Sequence, residues 1–131
     1  MVKFGYTILY VNDVTNSIEF YERSFGFERK FVTPENDYGE LDTGQTTISF
    51  ASIELAKNNL KRGFLESKLS QKPFAIELGL VTEKVNEVVK RAVQNGAKIE
   101  EEATEKPWGQ TVAYVRDIDG FLLEICTPVN Q

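Results

Sequence analysis

One cadence occurs twice in this chain: a strand, a helix, then further strands. A sequence that repeats such a unit is confined to folds built from two similar halves. In the first half, Phe4 to Val11 sets Tyr6, Ile8 and Tyr10 against Thr7, Leu9 and Val11, the period of a strand that is apolar on both faces. Asn12 and Asp13 can cap a helix, Val14, Ile18, Tyr21 and Phe25 recur at helical spacing, and Gly26 stops the run. Three short strands are predicted next: Glu28 to Val32, Tyr38 to Asp42 after the Pro34-Glu35-Asn36-Asp37 turn, and Thr46 to Ser52 after Thr43-Gly44. Ile53 to Leu69 is rich in Lys, Asn and Ser with scattered leucines and reads as a weakly amphipathic helix or an irregular connector.

The cadence then restarts. Phe74 to Val81 is predicted as a strand; Val85, Val88, Val89, Ala92 and Val93 make the apolar face of a helix that Asn95-Gly96 ends; Lys98 to Glu101 is a short strand. A hairpin closes the chain, Gln110 to Arg116 and Phe121 to Thr127, joined by Asp117-Ile118-Asp119-Gly120. That turn begins like a calcium loop, but it has neither the later ligands nor the helical flanks, so it reads as a hairpin turn. The expected organisation is α+β: a first βαβββ module over 1–52, a connector over 53–72 and a second module over 73–131.

Inside the last strand one carboxylate, Glu124, interrupts Leu122, Leu123, Ile125 and Cys126. A glutamate in that company is costly to bury unless it binds something, either a structural arginine or lysine or a ligand. Laying the halves on each other puts Tyr6 opposite Glu77, each about twenty residues before Gly26 or Gly96, and brings Ser49 near Glu124. Strand alternation adds Ile8, Tyr10, Thr47, Ala51, Gly79, Leu122 and Cys126 to the same inward set. Such a composition, apolar and aromatic with two carboxylates and hydroxyls, is that of a small-molecule site. Trp108, between Pro107 and Gly109, stands where a loop could stack on a planar or cationic ligand.

Several classes are excluded or disfavoured. The chain has no histidine, which removes the usual general base near neutral pH, the Ser-His and Cys-His pairs and any imidazole metal site. Its formal net charge of -5 argues against nucleic acid and leaves room for a cationic ligand. The single Cys126 reads as a small buried hydrophobe. No apolar run approaches the roughly 18 residues of a membrane helix, and the N-terminus does not have the order of a signal peptide, so no membrane partner and a cytoplasmic location are expected.

The opening Tyr6-Thr-Ile-Leu-Tyr-Val-Asn-Asp-Val, then Ser17-Ile-Glu-Phe-Tyr21 and Phe25-Gly26-Phe27, and the closing Asp117-Ile-Asp-Gly120 with Leu-Leu-Glu124 resemble the vicinal oxygen chelate superfamily of glyoxalase I, extradiol dioxygenases and fosfomycin- and bleomycin-resistance proteins. Pro107-Trp108-Gly109-Gln110 is most similar to the bleomycin-resistance-like branch. The resemblance implies paired modules whose mixed sheets curl into a cup around a ligand or metal, usually in a homodimer. In metal-dependent members one ligand comes from each of four strands; those positions fall on Tyr6, Ser49, Glu77 and Glu124. Only the two glutamates are good ligands, suited to weakly held magnesium or manganese and not to a preformed zinc or nickel site. The resemblance therefore implies a metal-independent binding protein for a cationic or aromatic drug-like compound, with Tyr6, Tyr10, Ser49, Glu77, Trp108 and Glu124 as ligand-binding residues and no cofactor. The alternative it leaves open is a divalent-metal-dependent glyoxalase- or dioxygenase-type enzyme using Glu77 and Glu124. A third is a module whose cup is filled by its own side chains.

Overall fold

Alternating apolar residues make β1 (Thr7–Val11), whose Leu9 and Val11 are buried, and Asp13 then opens α1 (Val14–Phe25) by accepting the Asn16 N–H at 3.1 Å. That bond, reinforced by the Asn36 amide, lowers the Asp13 pKa. Gly26 ends the helix in the left-handed region, φ 75°, and its N–H reaches the Glu22 carbonyl. Replacing Asp13 with alanine is expected to cost about 1 kcal/mol, read as a lower urea midpoint with unchanged slope.

The structure is a computed structural model that describes residues 1–129. It divides into two compact units, one ending at Glu66 and the other starting at Ser67. The expected second module reaches 131, so its last two residues lie outside the described ones. In the first unit β2 (Glu28–Val32), β3 (Tyr38–Asp42), β4 (Thr47–Ser52) and α2 (Ile53–Asn59) complete the set. The sheet order is β1-β4-β3-β2, with β1 and β4 parallel and the other pairs antiparallel. One face carries Leu9, Val11, Leu41, Ile48 and Phe50 and is buried together with Val14, Ile18 and Tyr21 of α1; Tyr21 meets Phe50 edge-on at 5.3 Å. Gly39 permits the close fit, since a Cβ there would stand 2.6 Å from Ile18 Cδ1.

The second unit repeats the plan with β5 (Glu77–Val81), α3 (Val85–Gln94), β6 (Lys98–Glu105), β7 (Thr111–Arg116) and β8 (Leu122–Cys126), in sheet order β5-β8-β7-β6. Ala113, Val115, Leu123 and Ile125 are buried on one face, as are Val85, Val89 and Ala92 of α3. The architecture is α+β, two four-stranded mixed sheets with three helices among the described residues. None of these helices is long and apolar enough to cross a membrane.

Arg116 organises the second unit. Its side chain is buried and donates from Nε to the Gly120 carbonyl at 2.6 Å, and from its terminal nitrogens to Glu100 Oε1 at 3.0 Å and to the Lys68 and Gln71 carbonyls at 2.9 Å each. The start of this unit is thereby tied to the β7–β8 turn. Gly120 lies at φ 92°, and a Cβ there would stand 2.7 Å from the Lys68 carbonyl carbon, so glycine is required twice over.

Several boundaries depart from the sequence reading, those of β4, β7 and β8 by a single residue at one or both ends. β1 and β5 begin at Thr7 and Glu77, not at Phe4 and Phe74, because the ladders with β4 and β8 start only there. β6 runs to Glu105, past the expected end at Glu101, because two register shifts against β7 let an acidic edge strand keep pairing while most of its charges face solvent. The 53–72 connector is part helix, α2, and irregular from there to β5.

Candidate functional site

In each unit the sheet face away from the helix carries the polar chemistry. In the second unit β5 and β8 run parallel with Gly79 opposite Glu124, and β7 places Tyr114 opposite Glu124 on its other side. Glu77, two residues before Gly79, shares that face by strand alternation. The Glu124 carboxylate lies over Gly79, where a Cβ would come within 3.7 Å of Oε2, and the exposed Glu77 carboxylate stands near enough to act on it. Partial burial and the Glu77 charge and hydrogen bond raise the Glu124 pKa above its ordinary 4.5, against an opposing field from Lys106.

The neighbours respond to the same pair. Burial, then Glu77 and Glu124, raise the Tyr114 pKa, and burial, then Glu124 and Glu77, raise that of Cys126, so both enter the neutral range as protonated donors. The Cys126 thiol donates to the Leu80 carbonyl at 3.8 Å, and Gln110 donates from Nε2 to the Thr127 carbonyl at 2.8 Å and accepts the Trp108 indole N–H at 2.8 Å. Trp108 is thus joined through Gln110 to the strand that bears Glu124, while its ring stays 64% exposed and plugs nothing. Among the described residues no lysine or arginine forms an ion pair with Glu77 or Glu124; the ion pairs are Glu19–Arg23, Glu22–Arg29, Lys57–Glu66 and Glu100–Arg116.

In the first unit the equivalent register sets Ile8 opposite Ser49 and Glu40 opposite Ser49 from the other side. Ser49 therefore takes the place of Glu124, Tyr6 that of Glu77 and Glu40 that of Tyr114. Ser49 is fully buried and gives its hydroxyl to Glu40 Oε2 at 3.5 Å; the Tyr38 hydroxyl donates to the same oxygen at 2.7 Å. Burial raises the Tyr38 pKa, with the Glu40 hydrogen bond and charge adding to the effect and Ser49 opposing it. Tyr6 is half exposed, and Tyr10 packs edge-on against Phe64 at 4.8 Å.

The structure thus brings Glu77 to Glu124, with Trp108 linked to the end of the Glu124 strand through Gln110, and brings Ser49 to Glu40 beside Tyr38. Tyr10 is engaged with Phe64, and Tyr6 makes no hydrogen bond or ring contact with this group among the described residues. The sequence reading missed Glu40, Tyr38, Tyr114, Gln110 and Lys106. The repeat could have found Glu40, because it occupies the position of Tyr114. A hollow of about 620 Å³ also opens beside the ends of β1 and β4, lined by Asn12, Glu35, Asp37, Ser52, Glu54 and Lys57 among others. It contains no predicted site residue, and its open polar walls differ from the largely apolar lining of ligand pockets, so the acid pair is the better candidate.

The four strand positions offer tyrosine, serine and two glutamates. That donor set has no imidazole and no thiolate and offers only two carboxylates, so these residues do not fit a zinc or nickel ion. Among the described residues no three His, Cys, Asp or Glu side chains form a ligating group.

The comparisons with known proteins agree with this architecture. Residues 3–125 match the family model of the glyoxalase/bleomycin resistance protein/dioxygenase superfamily. The uncharacterized protein YraH of Bacillus subtilis (strain 168) is 31% identical over 120 residues, 89% of this chain and 91% of that protein. A glyoxalase-related enzyme from Fulvimarina pelagi superposes with a TM-score of 0.81 at 20% identity, over 98% of this chain and 89% of the other. A family enzyme from Burkholderia phytofirmans PsJN gives 0.80 at 23% identity, over 98% and 100%. With a family model spanning nearly the whole chain and two βαβββ units in matching register, the chain belongs to the glyoxalase/bleomycin resistance protein/dioxygenase superfamily.

Proposed function

We propose that this chain is a metal-independent receptor that sequesters a small cationic or aromatic compound in the manner of bleomycin-resistance-like proteins. Glu77 and Glu124 form its ion-receiving centre, and Trp108 of the same unit supplies a further contact. The observation that carries the reading is the acid pair itself: a half-buried Glu124 whose pKa is raised by burial and by the neighbouring Glu77, with no arginine or lysine in an ion pair with either among the described residues. A structural role would be expected to show the cation that neutralises it. A ligand bearing a positive charge can take its place between the oxygens, while the exposed Trp108 ring stacks on a planar body. A homodimer is part of the same reading, since Phe4 in the first unit and Ile76 and Val81 in the second are large, exposed and apolar.

The test is a titration with a panel of cationic aromatic drugs in the presence of a chelator, following the emission of Trp108, the sole tryptophan. Saturable quenching that weakens in Glu124→Gln is expected. Silence across the panel, or an affinity that Glu124→Gln leaves untouched, would sink the reading. Stoichiometric metal in protein purified without chelator, lost in Glu77→Ala, would favour the metal-dependent enzyme instead.

A further inference from the structure

Gly39 of β3 and Gly79 of β5 are the glycines that lie inside strands among the described residues, and they are there for different reasons. Packing requires Gly39, since a Cβ there would stand 2.6 Å from Ile18 Cδ1 and 3.1 Å from the Phe31 carbonyl oxygen. Gly79 has no such reason. Its backbone lies outside the left-handed region, and a Cβ built on it would meet one neighbour within 4 Å, Glu124 Oε2 at 3.7 Å, which is an ordinary contact. A glycine inside a strand weakens it, because it loses more backbone freedom on folding and packs no side chain. The fold therefore bears a cost at Gly79 that neither dihedral angles nor crowding explains.

The repeat shows that the position accepts bulk. Ile8 of β1 is the counterpart of Gly79, paired with Ser49 as Gly79 is paired with Glu124, and it carries a large side chain, 38% exposed, in the same parallel ladder. Small and large have changed places: Ile8 is bulky beside a short serine, and Gly79 is bare beside a long glutamate. On the other flank of Glu124 stands the Tyr114 phenol of β7, so the β5 side is the open one. Glycine inside a strand also marks places where a ligand comes close to the main chain. We propose that Gly79 is the specificity-determining residue of the acid-pair site: its bare backbone is the opening through which the charged head of a ligand reaches Glu124. The inference rests on the cationic-ligand reading and adds the residue that decides how bulky a head is admitted. The place of the absent Cβ is 3.7 Å from Oε2, and an ammonium nitrogen need shift only about 1 Å from it to make a charge-assisted hydrogen bond of about 2.8 Å.

The test compares the full chain with Gly79→Ala and with Gly79→Ile, which copies the side chain of the first unit. Benzylammonium binding, followed by Trp108 emission, should weaken about tenfold in Gly79→Ile, the worth of one charge-assisted contact, with Gly79→Ala between. Both variants should unfold at a higher urea midpoint than the parent, because a strand gains from a side chain there. Access to Glu124 is read without any ligand by its coupling to glycinamide through a water-soluble carbodiimide, located by peptide mass spectrometry; it should slow in the same order. A lower midpoint in Gly79→Ala would make the glycine a requirement of the fold and overturn the inference, as would unchanged affinity or unchanged labelling in Gly79→Ile. A parent that binds no benzylammonium, with labelling still slowed in Gly79→Ile, would instead uphold the opening and fail the cationic-ligand reading.

Discussion

Replacing Arg116 with alanine is expected to cost about 3–5 kcal/mol, as much as truncating a buried core aromatic. The guanidinium is 2% exposed and satisfies the carbonyls of Gly120, Lys68 and Gln71 together with one oxygen of Glu100. Its removal leaves three main-chain acceptors without their donor in a space water reaches poorly, and each such group costs about 1–3 kcal/mol. Lysine would not rescue it, because one ammonium cannot reproduce a planar fork that reaches four acceptors in different directions. Urea unfolding reads the effect as a lower midpoint at unchanged slope. A loss below about 1 kcal/mol would mean that the tie between the 68–71 segment and the β7–β8 turn is not what holds the second unit together.

Glu124→Gln is expected to move stability and binding in opposite directions. The folded protein holds the Glu124 pKa above 4.5 through burial and the nearby Glu77, so the unfolded chain loses this proton at lower pH than the folded one. For a group whose folded pKa is raised, stability is fully present below 4.5 and is lost as pH rises through the folded value. The glutamine variant does not ionise and can still hydrogen-bond Glu77, so it should melt higher than the parent at neutral pH and match it in acid. Tyr114 and Cys126, also raised, add losses of the same sign at alkaline pH. Affinity for a cationic ligand should meanwhile fall about ten- to a hundredfold, the worth of one hydrogen-bonded charge. A gain in stability bought with a loss of binding is the usual mark of a functional group. A variant that melts lower than the parent at neutral pH would instead make Glu124 a structural residue.

Much of the fold was legible because local and tertiary demands agree along most strands. β2 and β3 span the residues predicted from turn signals, and α1 begins and ends where Asp13 and Gly26 place it. The repeat was legible too: Ile8 meets Ser49 in one sheet as Gly79 meets Glu124 in the other. The errors came where a distant partner decides. The glutamate-rich 100–105 stretch has poor strand propensity and becomes a strand through pairing with β7. Arg116 reads as the end of a strand, and nothing local reveals that residues 68 and 71 will accept from it. Glu40 was passed over because a carboxylate in a short alternating strand looks like solvent-facing surface; only the sheet order, which sets Phe31 on one side of it and Ser49 on the other, shows its neighbours. Glu124, in contrast, declared itself through its apolar company, because the cost of burying a charge is visible from the neighbours alone.

The account rests on Glu77 and Glu124 meeting as an interacting pair, and the side-chain carboxyl carbon signals of the two residues, followed by NMR across the acid range, test that most directly. The expected result is a Glu124 signal that titrates above the ordinary glutamate range and moves down when Glu77 is replaced by glutamine. A Glu124 that titrates at the ordinary value and is indifferent to Glu77 would contradict it.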